Sequence, residues 1–390
     1  MIEVSFDNIT ELKEYYRYND ISNTMISLIN LTDNDVSNNT NILKKIQYLT
    51  CSRTQITEIP KELINISSLN CSRTQITEIP KELSNLKFLD CSDTQITEIP
   101  KELINISSLN CSGTQITEIP KELINISSLN CSGTQITEIP KELINLRSLY
   151  CWCTQITGIP KELVNLQELD CTDTQITGIP KEFINIRILY CSDTQITEIP
   201  IEFINIRILY CSDTQITEIP KEFINLQELN CYSTQITYIP QELVNLHSLC
   251  FNWTQIKEVP KIINLQELYC KGSNITDIPK ELINLRSLNC CNTQVTEISK
   301  EFINLHYLYC CNTQVKYVPK HINILRLDCR STQITEIPVT LDLLETIDSD
   351  FITLEEHKTN VLRYKNSLKD IIKRNNVLND DVSNLLCSYI

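Results

Sequence analysis

The sequence predicts a repeat solenoid, a horseshoe of about 16 short units whose strands form one parallel β-sheet on the concave face. The chain repeats with a period of twenty residues, and residues 101–120 are identical to 121–140. Apolar residues recur at fixed positions of the unit, and all 14 prolines share one position. So short a unit cannot bury its apolar side alone, and stacking would create one continuous core.

We count repeat positions from the cysteine of the motif CSxTQITEIP. Position 1 falls at residue 31, then every twenty residues to 251, and then at 270, 290, 310 and 329. Two repeats, 251–269 and 310–328, lack one residue after their proline, so we count their later positions back from the next repeat. The first repeat, 31–50, is degenerate and keeps its apolar phase at Leu31, Val36, Leu43, Ile46 and Leu49.

Strand alternation places the leucine at position 19 and the residue at position 1 inward, and positions 18, 20 and 2 outward. We expect a strand over positions 18 to 2, and short turns, 3-10 or extended segments on the convex face. The predicted domains are an N-terminal cap (1–28), the solenoid (29–350) and a C-terminal helical cap or tail (351–390).

Both ends carry helical signals. In the first cap a short helix over Thr10–Tyr18 would cover the first strand with Leu12 and Tyr16. Apolar residues recur at helical spacing in the tail at Val361, Tyr364, Leu368, Ile371, Leu378 and Leu385. The basic stretch 357–374 can act as a cap or as a docking helix for an acidic partner or anionic membrane surface, and the cap is favoured.

Cysteine fills position 1 in 14 of the 16 repeats, where the fold needs a small buried apolar group. This pattern favours a ladder of reduced thiols, and therefore a reducing compartment. The other five cysteines are Cys153, Cys250, Cys291, Cys311 and Cys387. Cys291 and Cys311 share position 2 in adjacent repeats, so a disulfide or a metal site there stays an alternative to ordinary surface cysteines. We expect no metal, because the usual ligand spacing and nearby histidines are missing.

The unit, Leu-x-Cys-x-x-Thr-x-Ile-x-x-Ile-Pro-x-x-Leu-x-x-Leu, resembles the leucine-rich repeat. The resemblance covers roughly residues 29–348. The repeat is most similar to the twenty-residue class found in secreted bacterial effectors. Its richness in Ile and Asn also resembles that of repeat proteins of giant viruses and amoebae. The resemblance implies a protein-binding scaffold. Threonine replaces the usual asparagine at position 4, which predicts a less firmly tied turn. Some of these effectors carry a ubiquitin-ligase domain after the repeats, and the roughly 40 residues that follow here are too few for one.

The repeats differ mainly at positions 17, 18, 20, 2 and 3, which lie on or beside the concave face. Aromatic residues and carboxylates collect there in the middle and later repeats. The predicted partner-binding residues are Tyr150, Trp152, Asp170, Asp173, Tyr190, Asp193, Tyr210, Asp213, Tyr232, Trp253, Tyr269, Tyr307 and Tyr309. Tyrosine and tryptophan are favoured interface anchors, and the carboxylates favour a basic protein partner. The alternative is that outward strand positions tolerate many residues and that tyrosine suits strands.

Composition and charge argue against several classes of function. A net charge of −15 disfavours nucleic acid, and no apolar run reaches the length of a membrane span. We see no signal peptide at the N-terminus. The four histidines lie apart along the chain, and five scattered glycines cannot form a phosphate loop. We therefore expect a monomeric protein-interaction module without enzymatic activity or cofactor, in the cytoplasm (the host cytosol if the protein is viral or an effector). A structural spacer is the alternative.

Overall fold

The computed structural model describes residues 2–6, 9–17, 24–28, 41, 44–338, 341 and 343–374. It divides into two compact units, Met1–Ile216 and Thr217–Ile390. Most of the degenerate repeat 31–50 lies outside the described residues, although its Ile46 and Leu49 are buried. Leu378, Leu385 and Cys387 also lie outside them.

The first unit is a stack of parallel strands in chain order. It begins with strand β1 (Ile2–Phe6), helix α1 (Ile9–Tyr16) and strand β2 (Thr24–Leu28). The repeat strands that follow are β3 (Tyr48–Thr50), β4 (Ser68–Asn70), β5 (Phe88–Asp90), β6 (Ser108–Asn110), β7 (Ser128–Asn130), β8 (Ser148–Tyr150), β9 (Glu168–Asp170), β10 (Ile188–Tyr190) and β11 (Ile208–Tyr210). Each repeat strand pairs with the next in the same register, Leu149 beside Leu169 for example.

The second unit continues the same design. Its strands are β12 (Glu228–Asn230), β13 (Ser248–Cys250), β14 (Glu267–Tyr269), β15 (Ser287–Asn289), β16 (Tyr307–Tyr309), β17 (Arg326–Asp328) and β18 (Thr346–Asp348). Helix α2 (Leu354–Arg374) follows. Neighbouring strands are again parallel and in register, as in Leu268 beside Leu288.

The regular spacing of apolar residues in the sequence explains why the strands stack in this way. In a typical repeat Leu149 and Cys151 are fully buried, and the Tyr150 side chain between them is half-buried. Further core columns come from positions 6, 9, 13 and 16. Regular strand geometry covers only positions 18 to 20, shorter than predicted. Hydrogen bonding nevertheless continues beyond it, because Cys51 N donates to Asn70 O at 2.8 Å and Arg53 N donates to Ser72 O at 2.9 Å. The predicted parallel solenoid is confirmed.

The threonine at position 4 donates a hydrogen bond within its own repeat. The Thr54 hydroxyl is buried and donates to Cys51 O at 2.7 Å. Asparagine at position 15 supplies a bond between repeats: Asn85 Nδ2 donates to Ile64 O at 2.8 Å, and the same contact recurs along both units. The sequence analysis assigned no role to this column.

The residue at position 3 adopts a left-handed backbone conformation in every repeat from 51 onward, with φ between 52° and 68°. Only three of these residues are glycine, namely Gly113, Gly133 and Gly272. A side chain in this conformation costs roughly 1–2 kcal/mol. The sharp turn it produces directs the chain away from the sheet after each strand.

Replacing Gly272 with alanine should displace the Trp253 indole. A Cβ at Gly272 would overlap the Trp253 ring, whereas a Cβ at Gly133 would meet no atom nearer than 3.8 Å. Both glycines have similar positive φ, so Gly133→Ala is a matched control for backbone strain. We expect only Gly272→Ala to change the tryptophan fluorescence of the native protein. Equal spectra for the two variants would contradict this packing.

The position-1 cysteines are buried and form no disulfide in the described repeats. Position-1 sulfurs face the next strand, as where Cys71 Sγ approaches Asp90 O at 3.5 Å and Cys231 Sγ approaches Cys250 O at 3.4 Å. Burial raises the pKa of the Cys51 and Cys131 thiols to about 12. Such thiols stay protonated at neutral pH and act as core groups.

Both ends of the chain carry helices. Helix α1 agrees with the short helix predicted over Thr10–Tyr18, and Leu12 is fully buried. The flanking strands β1 and β2, which pair in parallel, were not predicted. Helix α2 begins at a capping box in which Thr353 N donates to Glu356 Oε2 at 2.8 Å and Glu356 N donates to Thr353 Oγ1 at 3.2 Å.

Helix α2 packs against the end of the repeats through residues that only partly match the predicted apolar face. His357 and Val361 are buried, and His357 Nε2 lies 3.0 Å from Leu341 O. Tyr364, predicted to lie on the apolar face, is exposed instead. The helical phase therefore identified Val361 correctly but missed the histidine that contacts Leu341. The boundaries 1–28, 29–350 and 351–390 stay predictions.

Candidate protein-binding surface

Position 20 has a structural role in eight repeats. Its Asn or Asp oxygen accepts a hydrogen bond from the backbone N–H two residues later and so closes the turn after the strand. In the first unit, for example, Asp170 Oδ1 accepts from Thr172 N at 3.1 Å. The residues that make this bond are Asn70, Asp90, Asn110, Asn130, Asp170, Asn230, Asn289 and Asp328. Asp170, predicted as a partner-binding residue, therefore already has a role in the fold.

Tyrosine replaces this turn-closing residue in five repeats: Tyr150, Tyr190, Tyr210, Tyr269 and Tyr309. A phenol ring has no acceptor close enough to its backbone to make the same bond. A hydrogen bond of this kind contributes roughly 0.5–1.5 kcal/mol. After Tyr210 the Ser212 N–H, in the next repeat, instead donates to Ser192 Oγ at 3.1 Å, so the repeat that contains Tyr210 supplies the acceptor. Tyrosine at position 20 is thus not required by the turn.

Three of these tyrosines lie close together in the first unit. The strand register places Tyr150 beside Asp170, Asp170 beside Tyr190, and Tyr190 beside Tyr210. The rings of Tyr190 and Tyr210 meet edge to face, with centroids 5.1 Å apart. Trp152 is 47% exposed beside them. These side chains form an aromatic surface on the face of strands β8 to β11 that points away from the core.

An acidic column borders this aromatic surface. Asp173, Asp193 and Asp213 occupy position 3 of consecutive repeats, and all three are exposed. Partial burial, together with the charges of Asp213 and Asp173, raises the pKa of the Asp193 carboxyl above its ordinary value. Adjacent strands are about 4.8 Å apart, so the like charges repel one another. A bound cationic group would relieve that repulsion.

The predicted residues of the second unit are more dispersed. Tyr269 and Tyr309 are separated by a strand that carries Asn289. The Trp253 ring lies over Gly272 with Lys271 Nζ at 6.0 Å, and the Tyr307 ring has the Arg326 guanidinium at 5.8 Å. Tyr232 is exposed at position 2. Cations of the unit itself therefore already lie near two of these rings.

The structure also shows features that the sequence analysis missed. Position 14 forms an exposed apolar column, in which Ile104, Ile124 and Ile144 are each about half exposed. Their regular recurrence was visible in the sequence, but alternation beyond the strand gave no rule for their direction. Cys291 is buried and not a surface cysteine as predicted. Among the residues that the structure describes, no helix is long and apolar enough to cross a membrane.

Comparison with known proteins identifies the fold. A leucine-rich repeat protein of Leptospira interrogans shares 27% identity with the chain at a TM-score of 0.76, over 89% of this chain and 100% of that one. The functional domain of InlJ from Listeria monocytogenes, described as including a cysteine ladder, has 23% identity and a TM-score of 0.71, over 76% of this chain and 70% of that one. The plant peptide hormone receptor RGFR1, solved in complex with RGF2, has 22% identity and a TM-score of 0.67, over 85% of this chain and 62% of that one.

These likenesses show that the chain has the leucine-rich repeat fold, as the sequence resemblance implied. No protein-family model matches the sequence, and no curated protein matches it. The resemblance to bacterial effectors and to proteins of giant viruses and amoebae stays a prediction.

Proposed function

We propose that this protein is a protein-interaction module. It binds a basic protein partner, in its first unit, on the face of the sheet that carries positions 18, 20 and 2. Tyr150, Trp152, Tyr190 and Tyr210 would supply the aromatic anchors. The column of Asp173, Asp193 and Asp213 would supply the charge that attracts the partner. The observation that carries the proposal is the replacement of a turn-closing Asn or Asp by tyrosine in three of four consecutive strands.

Interface energetics support this assignment. Large, partly exposed aromatic residues with few rotatable bonds contribute most of the binding energy in many interfaces. Complementary charge mainly accelerates association and selects the partner. RGFR1 has a similar fold and was solved in complex with RGF2, which fits a binding role for such a scaffold. The residues of the second unit are a weaker candidate surface, because cations of that unit lie against Trp253 and Tyr307.

The test compares capture of proteins from an extract of the source cells by the wild-type chain and by Tyr190→Ala/Tyr210→Ala. Asn110→Ala/Asn130→Ala is the matched control, because it alters position 20 in two repeats without aromatic residues. We expect the tyrosine variant to lose one captured protein at least tenfold and the asparagine control to retain it. Both variants should keep the circular dichroism of the wild type.

A second arm tests the charge. Asp193→Asn/Asp213→Asn should slow association with the captured partner and weaken the dependence of its rate on salt concentration. A captured protein that is acidic, or one retained equally by all variants, would contradict the proposed surface. If no protein depends on either surface, the structural-spacer alternative is favoured.

The location and assembly of the protein are part of the same proposal. We propose a cytoplasmic, reducing compartment, supported by the buried thiol ladder, and a monomeric state. We also propose that the protein has no enzymatic activity of its own. Mass spectrometry of the unreduced protein from its source cells tests the compartment, because disulfides between ladder cysteines would contradict a reducing one.

A further inference from the structure

Cys291, Cys311 and Asp328 form a cluster that lies outside the proposed partner-binding surface. Their sulfur and carboxylate oxygen atoms all lie within 4.8 Å of one another. Cys291 and Cys311 occupy position 2 of adjacent repeats, and Asp328 lies at position 20 on strand β17. Among the described residues, this is the one group of three or more Cys, His, Asp or Glu side chains that could hold a metal ion.

Against the effect of burial, hydrogen bonds and the charge of Arg330 lower the pKa of the Asp328 carboxyl. Burial and the neighbouring Cys311 raise the pKa of the Cys291 thiol, so a bound metal ion would have to displace that proton. Cys311 N donates a hydrogen bond to Cys291 Sγ at 3.1 Å, a contact that stabilises a thiolate more than a thiol. Arg330 holds the Asp328 carboxylate through Nε at 2.9 Å and Nη2 at 2.6 Å. A nearby cation of this kind keeps the carboxylate charged and fixes its orientation, as hydrogen-bonded partners of metal ligands commonly do. Cys291 and Asp328 are buried and Cys311 is half-buried, so the cluster opens to solvent on one side.

We propose that Cys291, Cys311 and Asp328 bind a thiophilic divalent cation, Zn²⁺ being the best match. Two sulfurs bound to one tetrahedral zinc are roughly 3.8 Å apart, given a Zn–S distance of about 2.3 Å. The two sulfurs of the cluster lie within 4.8 Å of each other. Two thiolates and one carboxylate carry three negative charges against the two positive charges of the ion, and the Arg330 guanidinium on Asp328 offsets the third. These three ligands leave one coordination position for water. The ion would join the ends of three neighbouring strands, because Cys291 follows β15, Cys311 follows β16 and Asp328 ends β17. The sequence analysis expected no metal, because the spacing of the two cysteines matches no common zinc motif and Asp328 was not considered.

Cobalt(II) is the probe, because its thiolate complexes absorb in the near-ultraviolet and visible range and zinc displaces it. The full-length chain, kept reduced, is titrated with Co²⁺ and then with Zn²⁺. We expect one Co²⁺ per chain with a thiolate-to-cobalt band that Zn²⁺ abolishes, and a higher thermal midpoint with Zn²⁺. Cys291→Ser and Cys311→Ser should lose the band. Asp328→Asn should weaken binding by at least about tenfold, since even partners that only hydrogen-bond to metal ligands contribute that much.

Cys153→Ser is the matched control, because it removes an exposed cysteine of the first unit. It should bind Co²⁺ as the wild type does. Wild-type protein without the band, or an equal band in Cys291→Ser/Cys311→Ser, would overturn the proposal, since the ion would then be absent or bound elsewhere. A Cys291–Cys311 disulfide that persists under reducing conditions would overturn it as well. Circular dichroism of each variant separates loss of the site from loss of the fold.

Discussion

Raising the pH from about 8 to 10.5 should destabilise this protein far more than an ordinary protein of its size. Burial raises the pKa of the Cys51, Cys131 and Cys211 thiols from 9.0 to about 12. In the unfolded chain the same thiols ionise near pH 9. The unfolded state therefore binds fewer protons than the folded state above that pH, and stability falls.

The size of the effect follows from linkage. The contribution of these thiols is fully present below about pH 9 and is lost progressively as the pH rises toward 12. In this range each thiol lowers the free energy of unfolding by about 1.4 kcal/mol per pH unit. These three thiols alone lower it by about 4 kcal/mol per pH unit. The pKa of further rungs, such as Cys111 and Cys191, is raised by burial in the same direction. Urea unfolding between pH 8 and 10.5 measures the slope.

A single substitution isolates the contribution of one thiol. Cys131→Ala should reduce the slope of unfolding free energy against pH by about 1.4 kcal/mol per unit above pH 9. Asn130→Ala is the control, because it removes the turn bond to Ser132 N but no titrating group. It should shift stability equally at every pH. The same slope in Cys131→Ala and in the wild type would show that this thiol does not carry the effect.

Truncation of Phe203 to alanine should lower the free energy of unfolding by about 3–5 kcal/mol. Phe203 lies at position 13, where its side chain is fully buried, as is that of Phe183 in the preceding repeat. Alanine would leave a cavity in the core in place of the buried ring. Urea denaturation followed by circular dichroism measures the loss.

The adjacent residue provides the comparison. Ile204 is 52% exposed, so Ile204→Ala should change stability by no more than about 0.5 kcal/mol. Phe203→Leu should cost much less than Phe203→Ala, because leucine occupies the same position in earlier repeats, for example Leu143. Similar losses for Phe203→Ala and Ile204→Ala would contradict the assignment of position 13 to the core.

The repeat period predicted most of the fold, because each apolar position recurs often enough to fix its direction. Leu149 and Cys151 were assigned to the core from alternation alone, and both are fully buried. The prediction was weakest beyond the strand, where no simple period applies. It assigned no role to the asparagine bridges at position 15, such as that of Asn85.

The candidate surface could be predicted only as a set of positions. Variation between near-identical repeats identified Tyr190 and Tyr210, but only the structure shows how their rings meet. The sequence could not show that Asp170 closes a turn, because that depends on a contact between its side chain and Thr172 N. The cluster at Cys291 depends in the same way on Asp328, which is distant in sequence and adjacent in space.

Because every repeat pairs with the next in the same register, whole repeats can be added to or removed from the first unit without changing the others. Each rung bonds to the rungs beside it through the same backbone atoms, and residues 101–120 duplicate 121–140 in sequence. Excision or further duplication of one such block would rejoin identical neighbours and create no foreign junction. Unequal recombination could therefore lengthen or shorten the scaffold by about 4.8 Å per copy while leaving the residues around Tyr190 unaltered.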